Sequence, residues 1–318
     1  MYGACLGIIT RGWEGDCPPA GARLKSANMK KAAVFFLGLV LGVLVLAAGL
    51  NSGGTFWGVR ETRGIVREQL VRASKSPSLV LTAADLKGLP AVARKYLVNS
   101  GVLGKPLPRS VRLCMKGSMS LGPGKAWVPF DAEQYFSVDQ PSLVWFGVVK
   151  VAPLLSISAR DSYIAGEGRM YVRLMSLLKL DDARGKDMDL AALTRYLSEM
   201  MWFPAAFAGR NIKWKGVDGK SAWVSITDNG IWASGLCRFD GSGNINEFSA
   251  PRLCSITGKM EEWKAGPGDG AGGAVKYMEV NGVRIPANAC ASFRLRGGDY
   301  PYIKLELTRV EYDPVETY

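Results

Sequence analysis

The chain has 318 residues, a net charge of +12 and no histidine. The missing histidine excludes Ser-His-Asp and Cys-His catalysis, and with them any histidine-ligated zinc or iron centre. The basic excess is dispersed, without the run of five or six Lys/Arg that grips nucleic acid, so no nucleic-acid partner is expected.

Residues 1–28 are mixed and aperiodic. Met29-Lys30-Lys31 followed by an apolar run looks like a natural start, so residues 1–28 read as a disordered or misassigned extension. Ala32 to Leu50 is nineteen residues without a charge. About 20 apolar residues span a bilayer as a helix, whereas a signal core is usually shorter. An uncleaved anchor over residues 29–53 is therefore favoured over a cleaved signal, although Ala47-Ala48-Gly49 is small enough for cleavage. Arg23, Lys25, Lys30 and Lys31 precede the run and place the N-terminus in the cytoplasm and the bulk of the chain outside. The expected localisation is a single-pass membrane protein.

Residues 54–88 read as a helical stalk, strongly charged from Gly58 to Ala73. Asp85 to Asn99 is amphipathic, with Leu86, Leu89, Ala93, Tyr96 and Leu97 near one face and Gly101 closing it. From Pro108 the period becomes two, beginning with Val111, Leu113 and Met115 alternating with Arg112, Cys114 and Lys116. Strand-like stretches continue to Tyr312, separated by turn pairs such as Asn229-Gly230 and Asn281-Gly282. One amphipathic helix interrupts them. Over 187–203, Leu190, Leu193, Leu197 and Met200 form a stripe, Asp187 or Asp189 is placed to cap the start, and Pro204 ends it. Residues 89–318 thus read as one extracytoplasmic domain, mainly β with a few helices (α+β), in which a large curved antiparallel sheet wraps over helices and is preceded by one transmembrane helix.

Of the six cysteines, Cys114 and Cys290 fall on polar strand faces and Cys237 on an apolar one. None forms a C-x-x-C pair, so neither a metal site nor a cofactor is expected, and any disulfide pairing stays open.

Several stretches act together as a signature. They include Leu89-Pro90 through Arg94-Lys95-Tyr96-Leu97, Gly122-Pro123-Gly124-Lys125-Ala126-Trp127 and Ala132-Glu133-Gln134-Tyr135-Phe136. They continue with Arg160-Asp161-Ser162-Tyr163, Arg195-Tyr196-Leu197-Ser198-Glu199-Met200 and Trp202-Phe203-Pro204. In this order, over roughly residues 89–312, they resemble a widespread prokaryotic family known only as a domain of unknown function. The resemblance implies no reaction and no ligand. By analogy of shape, the curved sheet over helices is similar to periplasmic lipoprotein carriers and outer-membrane lipoprotein receptors, which hold acyl chains in a cavity.

Arg195, Glu199 and Trp202 share a helix face. Arg before Glu at i,i+4 is the weaker order for an exposed pair, and a Trp beside it suits a covered face. The expected cluster adds Glu133, Tyr135, Arg160 and Asp161 as partners or ligand contacts. No catalytic residue is assigned. The leading reading is a non-catalytic, membrane-tethered extracytoplasmic domain that binds a hydrophobic or amphipathic ligand such as a lipid. The alternatives are a histidine-free envelope hydrolase, for which Ser176 and Lys179 have a Ser-x-x-Lys spacing without its partner motifs, and a structural envelope protein.

Overall fold

A computed structural model describes residues 20–75, 79–270 and 273–314. The chain divides at Ala48/Gly49 into two units. Helix α1 (Ala20–Ala73) contributes to both, and it holds the one stretch among the described residues that is long and apolar enough to cross a membrane.

In the second unit the period-two pattern forms strands in near-unbroken succession. These are β1 (Ser110–Ser120), β2 (Trp127–Ser137), β3 (Ser142–Ala152), β4 (Leu155–Ile164), β5 (Glu167–Leu174) and β6 (Leu178–Arg184). After a helical crossing come β7 (Ile212–Gly216), β8 (Ser221–Asp228), β9 (Ile231–Phe239), β10 (Ile245–Cys254) and β11 (Lys259–Pro267). The last are β12 (Tyr277–Val280), β13 (Val283–Pro286), β14 (Asn288–Leu295) and β15 (Gly298–Tyr312). Thirteen of them make one sheet in the order β6-β5-β4-β3-β2-β1-β15-β14-β11-β10-β9-β8-β7, with antiparallel neighbours throughout, and β12–β13 form a separate hairpin. The sheet curls into a half-barrel, as the sequence pattern implies. Asn229-Gly230 and Asn281-Gly282 both have positive φ at both residues, which is what a two-residue hairpin turn demands.

The chain leaves one edge of the sheet at β6 and crosses its inner face as α3 (Lys186–Glu199). It continues through two 3-10 turns, Met200–Trp202 and Pro204–Ala208, and re-enters at the opposite edge as β7. Helix α3 touches both arms of the sheet, β3 to β6 on one side and β9 and β10 on the other. Leu193, Leu197 and Met200 are fully buried as expected, and Leu190 packs at the rim of the same core. The surrounding space is filled by aromatic rings: Phe136, Tyr196 and Phe203 lie 4.8–5.9 Å apart, with Trp202 and Phe207 buried alongside. Short α2 (Ala91–Asn99) adds Tyr96 and Leu97 to this core, and its Ala93 is also buried. It begins after Pro90, and Asp85 to Gly88 form turns, so the helix is shorter than its apolar pattern implies.

Three local expectations are corrected. The N-cap of α3 is Gly185, with no side-chain cap, and Asp189 instead accepts the backbone N–H of Gly168 at 2.7 Å. Strand β6 carries no strand signature in the sequence, because Leu178 and Leu180 are exposed and the pattern lacks a buried face. The segment from Gly58 does not stand clear as a stalk. It lies on the outer face of the sheet, with Val66 buried against Tyr135 and Val144. Expectations about residues 1–19, including Cys5 and Cys17, fall outside the described residues. The four described cysteines are all unpaired, with Cys237 and Cys254 buried and Cys114 and Cys290 half-buried.

Candidate functional site

Adjacent residues of a strand point to opposite faces, so two side-chain rows cross the sheet back to back. On the inner face Gln134, Trp145 and Asp161 sit side by side on β2, β3 and β4. Helix α3 places Arg195 and Glu199, one turn apart, over this row. Arg195 Nη1 donates to Asp161 Oδ2 at 2.7 Å and its Nε donates to Glu199 Oε1 at 2.9 Å. Gln134 Nε2 donates to the other oxygen of Glu199 at 2.6 Å. From β10, Arg252 Nη2 approaches Asp161 Oδ2 at 3.6 Å, while its Nε donates to the Ala191 carbonyl at 3.1 Å. The two guanidinium groups also lie over rings, Arg195 over Trp145 and Arg252 over Trp263. Asp161 has no solvent exposure, and its Oδ1 has no protein hydrogen bond.

Two cations and two carboxylates thus face each other inside the half-barrel. Burial pushes the Glu199 carboxyl above its ordinary value, and Arg195 and Gln134 pull it back only in part. Arg195 is held above its ordinary range: burial opposes its charge, but Glu199 and Asp161 outweigh it. A guanidinium does not give up its proton in a protein, so both arginines stay charged, and the cluster ties α3 to β2, β4 and β10.

On the outer face the next row is Glu133, Phe146, Arg160 and Tyr171. Here the partner is the second half of α1. Glu61 accepts from Arg160 at 3.0 Å and from Arg173 at 2.9 Å, and Tyr171 has three arginines around its ring. Burial acts to raise the Glu61 pKa, but Arg160 and Arg173 outweigh it and hold the carboxyl below its ordinary value. Arg112 pairs with Glu311 at 2.9 Å and approaches Glu133 at 3.6 Å, and the Tyr135 hydroxyl donates to Glu133 at 2.9 Å. Burial and the Glu133 carboxylate both push the Tyr135 hydroxyl pKa up.

The residues singled out in the sequence therefore separate into groups. Asp161, Arg195 and Glu199 come together inside. Glu133, Tyr135 and Arg160 lie on the opposite face. Trp202 belongs to the apolar core, where its indole N–H is unpaired and its carbonyl accepts from Tyr312. Gln134, Trp145, Arg252, Glu61 and Arg173 were not anticipated. Parity alone separates Arg160 from Asp161 and picks out Gln134 between Glu133 and Tyr135; nothing in the local sequence points to Arg252 or Glu61.

Two open grooves follow the junction of α1 with the outer face. One, of about 680 Å³, lies between Asn51, Ser52 and Thr55 of α1 and Val148, Ala152 and Leu155 of β3–β4. The other, of about 730 Å³, is more polar and is bordered by Arg72, Arg160, Ser162, Arg169 and Arg184. Ser176 lies beneath α1, buried and without a hydrogen bond. No three metal-ligating side chains converge among the described residues.

Residues 79–305 match DUF6544, a family of unknown function. The chain belongs to this family. The DUF6544 region contains every member of the inner cluster, whereas Glu61 and the rest of α1 precede it. No curated protein matches the chain. Among solved structures, a domain from Vibrio parahaemolyticus ascribed to an outer membrane lipoprotein-sorting protein is 6% identical. The match has a TM-score of 0.34 and covers 65% of this chain and 87% of that one. A DUF1329 family protein from Desulfovibrio piger is 11% identical, with a TM-score of 0.31 and coverage of 71% and 92%. These likenesses are too loose to carry a functional argument.

Proposed function

We propose that this chain is a non-catalytic, membrane-tethered extracytoplasmic domain that binds an amphipathic ligand along the junction of α1 with β3–β5, and not inside the curve of the sheet. The observation that carries the reading is where the space is. The inner face is occupied by α3, the two 3-10 turns and their buried aromatic rings, and its charged groups pair with one another. The open volume lies outside, in a groove of about 680 Å³, which is the size of a small-molecule site. Its lining pairs apolar Val148, Ala152 and Leu155 with polar Asn51, Thr55 and Lys150, which suits a ligand with both characters.

The tether and its orientation rest on the uncharged run from Ala32 to Leu50 and the basic residues before it. Of the sequence candidates, Arg160 borders the second, polar groove. Asp161, Arg195 and Glu199 serve as framework. The hydrolase alternative gains nothing from Ser176, buried as it is.

Native mass spectrometry of the full chain extracted without detergent tests the proposal. The wild type is expected to carry a bound amphipath, and Ala152→Trp, which fills the groove, is expected to lose it. A wild type with no adduct, or an Ala152→Trp variant that retains it, would overturn the reading.

A further inference from the structure

Apolar side chains are distributed unevenly over the hairpins of the β2–β6 arm. In a meander, alternate turns emerge at the same end, so β3–β4 and β5–β6 share one end, and β2–β3 and β4–β5 share the other. The first end exposes Leu155 at the β3–β4 turn and Leu177, Leu178 and Leu180 at the β5–β6 turn, with Leu178 64% exposed. The other end turns through Asp139-Gln140 and Ala165-Gly166 and exposes no large apolar side chain. Helix α1 meets the apolar end directly. Ser156 donates to Asn51 at 2.6 Å, and Gly54 lies so close to the β5–β6 turn that a Cβ there would fall 2.1 Å from the Met175 carbonyl. On the same stretch of helix, Phe56 and Trp57 are 66% and 62% exposed.

Chain length fixes how far this end stands from the apolar run. Trp57 is seven residues beyond Leu50, and at 1.5 Å per residue the helix can carry it no more than about 10 Å. The headgroup zone on each side of a bilayer is about 5–8 Å deep. Residues 51–57 and the two hairpins they hold therefore fall within or next to that zone. Exposed leucines with Trp and Phe are what interfacial anchors use, and the hairpins also carry exposed Lys150 and Lys179, whose long stems reach headgroups. Lys150 pairs with Asp131.

We infer that the β3–β4 and β5–β6 hairpins, together with Phe56 and Trp57, rest on the bilayer and dip apolar side chains into its interface, so that the domain is held at a fixed orientation on the membrane. The inference rests on residues 32–50 being retained as a span, and not on a ligand occupying the groove.

Site-specific photocrosslinking of the full chain in phosphatidylethanolamine–phosphatidylglycerol vesicles tests it. The photoreactive phenylalanine analogue p-benzoylphenylalanine is placed singly at Leu155, Leu178, Gln140 and Val43. The expected result is lipid labelling at Leu155 and Leu178 comparable to that at Val43 within the span, with background at Gln140. Labelling at Val43 with background at Leu155 and Leu178 overturns the docking and leaves the tether intact. Background at Val43 overturns it together with the tether, because the span on which the inference rests would then be missing. Gln140 labelled as strongly as Leu178 also overturns it, because lipid would then meet the domain without a preferred face.

Discussion

Asp161 has Arg195 and Arg252 on one oxygen and no contact with solvent. Asp161→Ala would leave two guanidinium groups buried with a single carboxylate, and removing one partner of a buried ion pair costs about 3–5 kcal/mol. Glu199→Gln is expected to be milder. Burial already opposes the Glu199 charge, and the amide keeps an acceptor for Arg195, although it sets an N–H₂ group against that of Gln134. Denaturant unfolding of the full chain in micelles should therefore rank Asp161→Ala well below Glu199→Gln in stability; equal values would show that the cluster is not charge-coupled as described.

Glu61 behaves in the opposite sense. Its folded pKa is depressed below the ordinary 4.5, so its contribution is fully present above that value and is lost as pH falls through the folded value. Hydrogen-exchange protection in residues 49–73, corrected for the intrinsic pH dependence of exchange, should fall in acid below about pH 4.5 ahead of that in α3, and Glu61→Gln should abolish that fall. An α1 segment whose protection does not change with pH would contradict the pairing.

At the scale of elements, α3 is the piece on which both arms of the sheet close. Leu197→Ala in its buried stripe is expected to cost about 2–5 kcal/mol, measured by denaturant unfolding, whereas a loss typical of surface sites would mean that the helix packs by another face. The close approaches matter as much as the stripe. Gly147 lies under the Trp145 ring, and a Cβ there would come within 2.2 Å of it. Gly147→Ala should therefore displace the ring beneath Arg195, with a change in Trp fluorescence as the readout.

The sequence made the alternating strands, the inserted helix, its buried leucines and the long apolar run legible, because each carries its own period. It did not reveal β6, whose leucines face solvent, nor the packing of α1 on the sheet. At Gly54 the helix and the β5–β6 turn approach so closely that an added Cβ would fall 2.1 Å from the Met175 carbonyl, a contact that no local pattern marks. The candidate cluster was legible in residue type but not in grouping: Arg160 and Asp161 are neighbours in sequence and occupy opposite faces in the sheet. Arg252 reaches the cluster from a strand 91 residues further along the chain than Asp161, a separation that no local pattern encodes.

At the scale of the whole molecule, the proposed topology predicts that a reporter fused after residue 318 is active outside the cytoplasm and sediments with membranes; cytosolic reporter activity would remove the tether from the account. The central claim is that the ligand lies against α1 on the outside of the sheet, because the inside is full. The most direct test is to add a photoactivatable phospholipid to the full chain in vesicles and map the labelled peptides. The account predicts labelling of the stretches 51–57 and 148–156, which border the outer groove. Labelling concentrated instead in residues 188–207, on α3 and the turns inside the half-barrel, would contradict it.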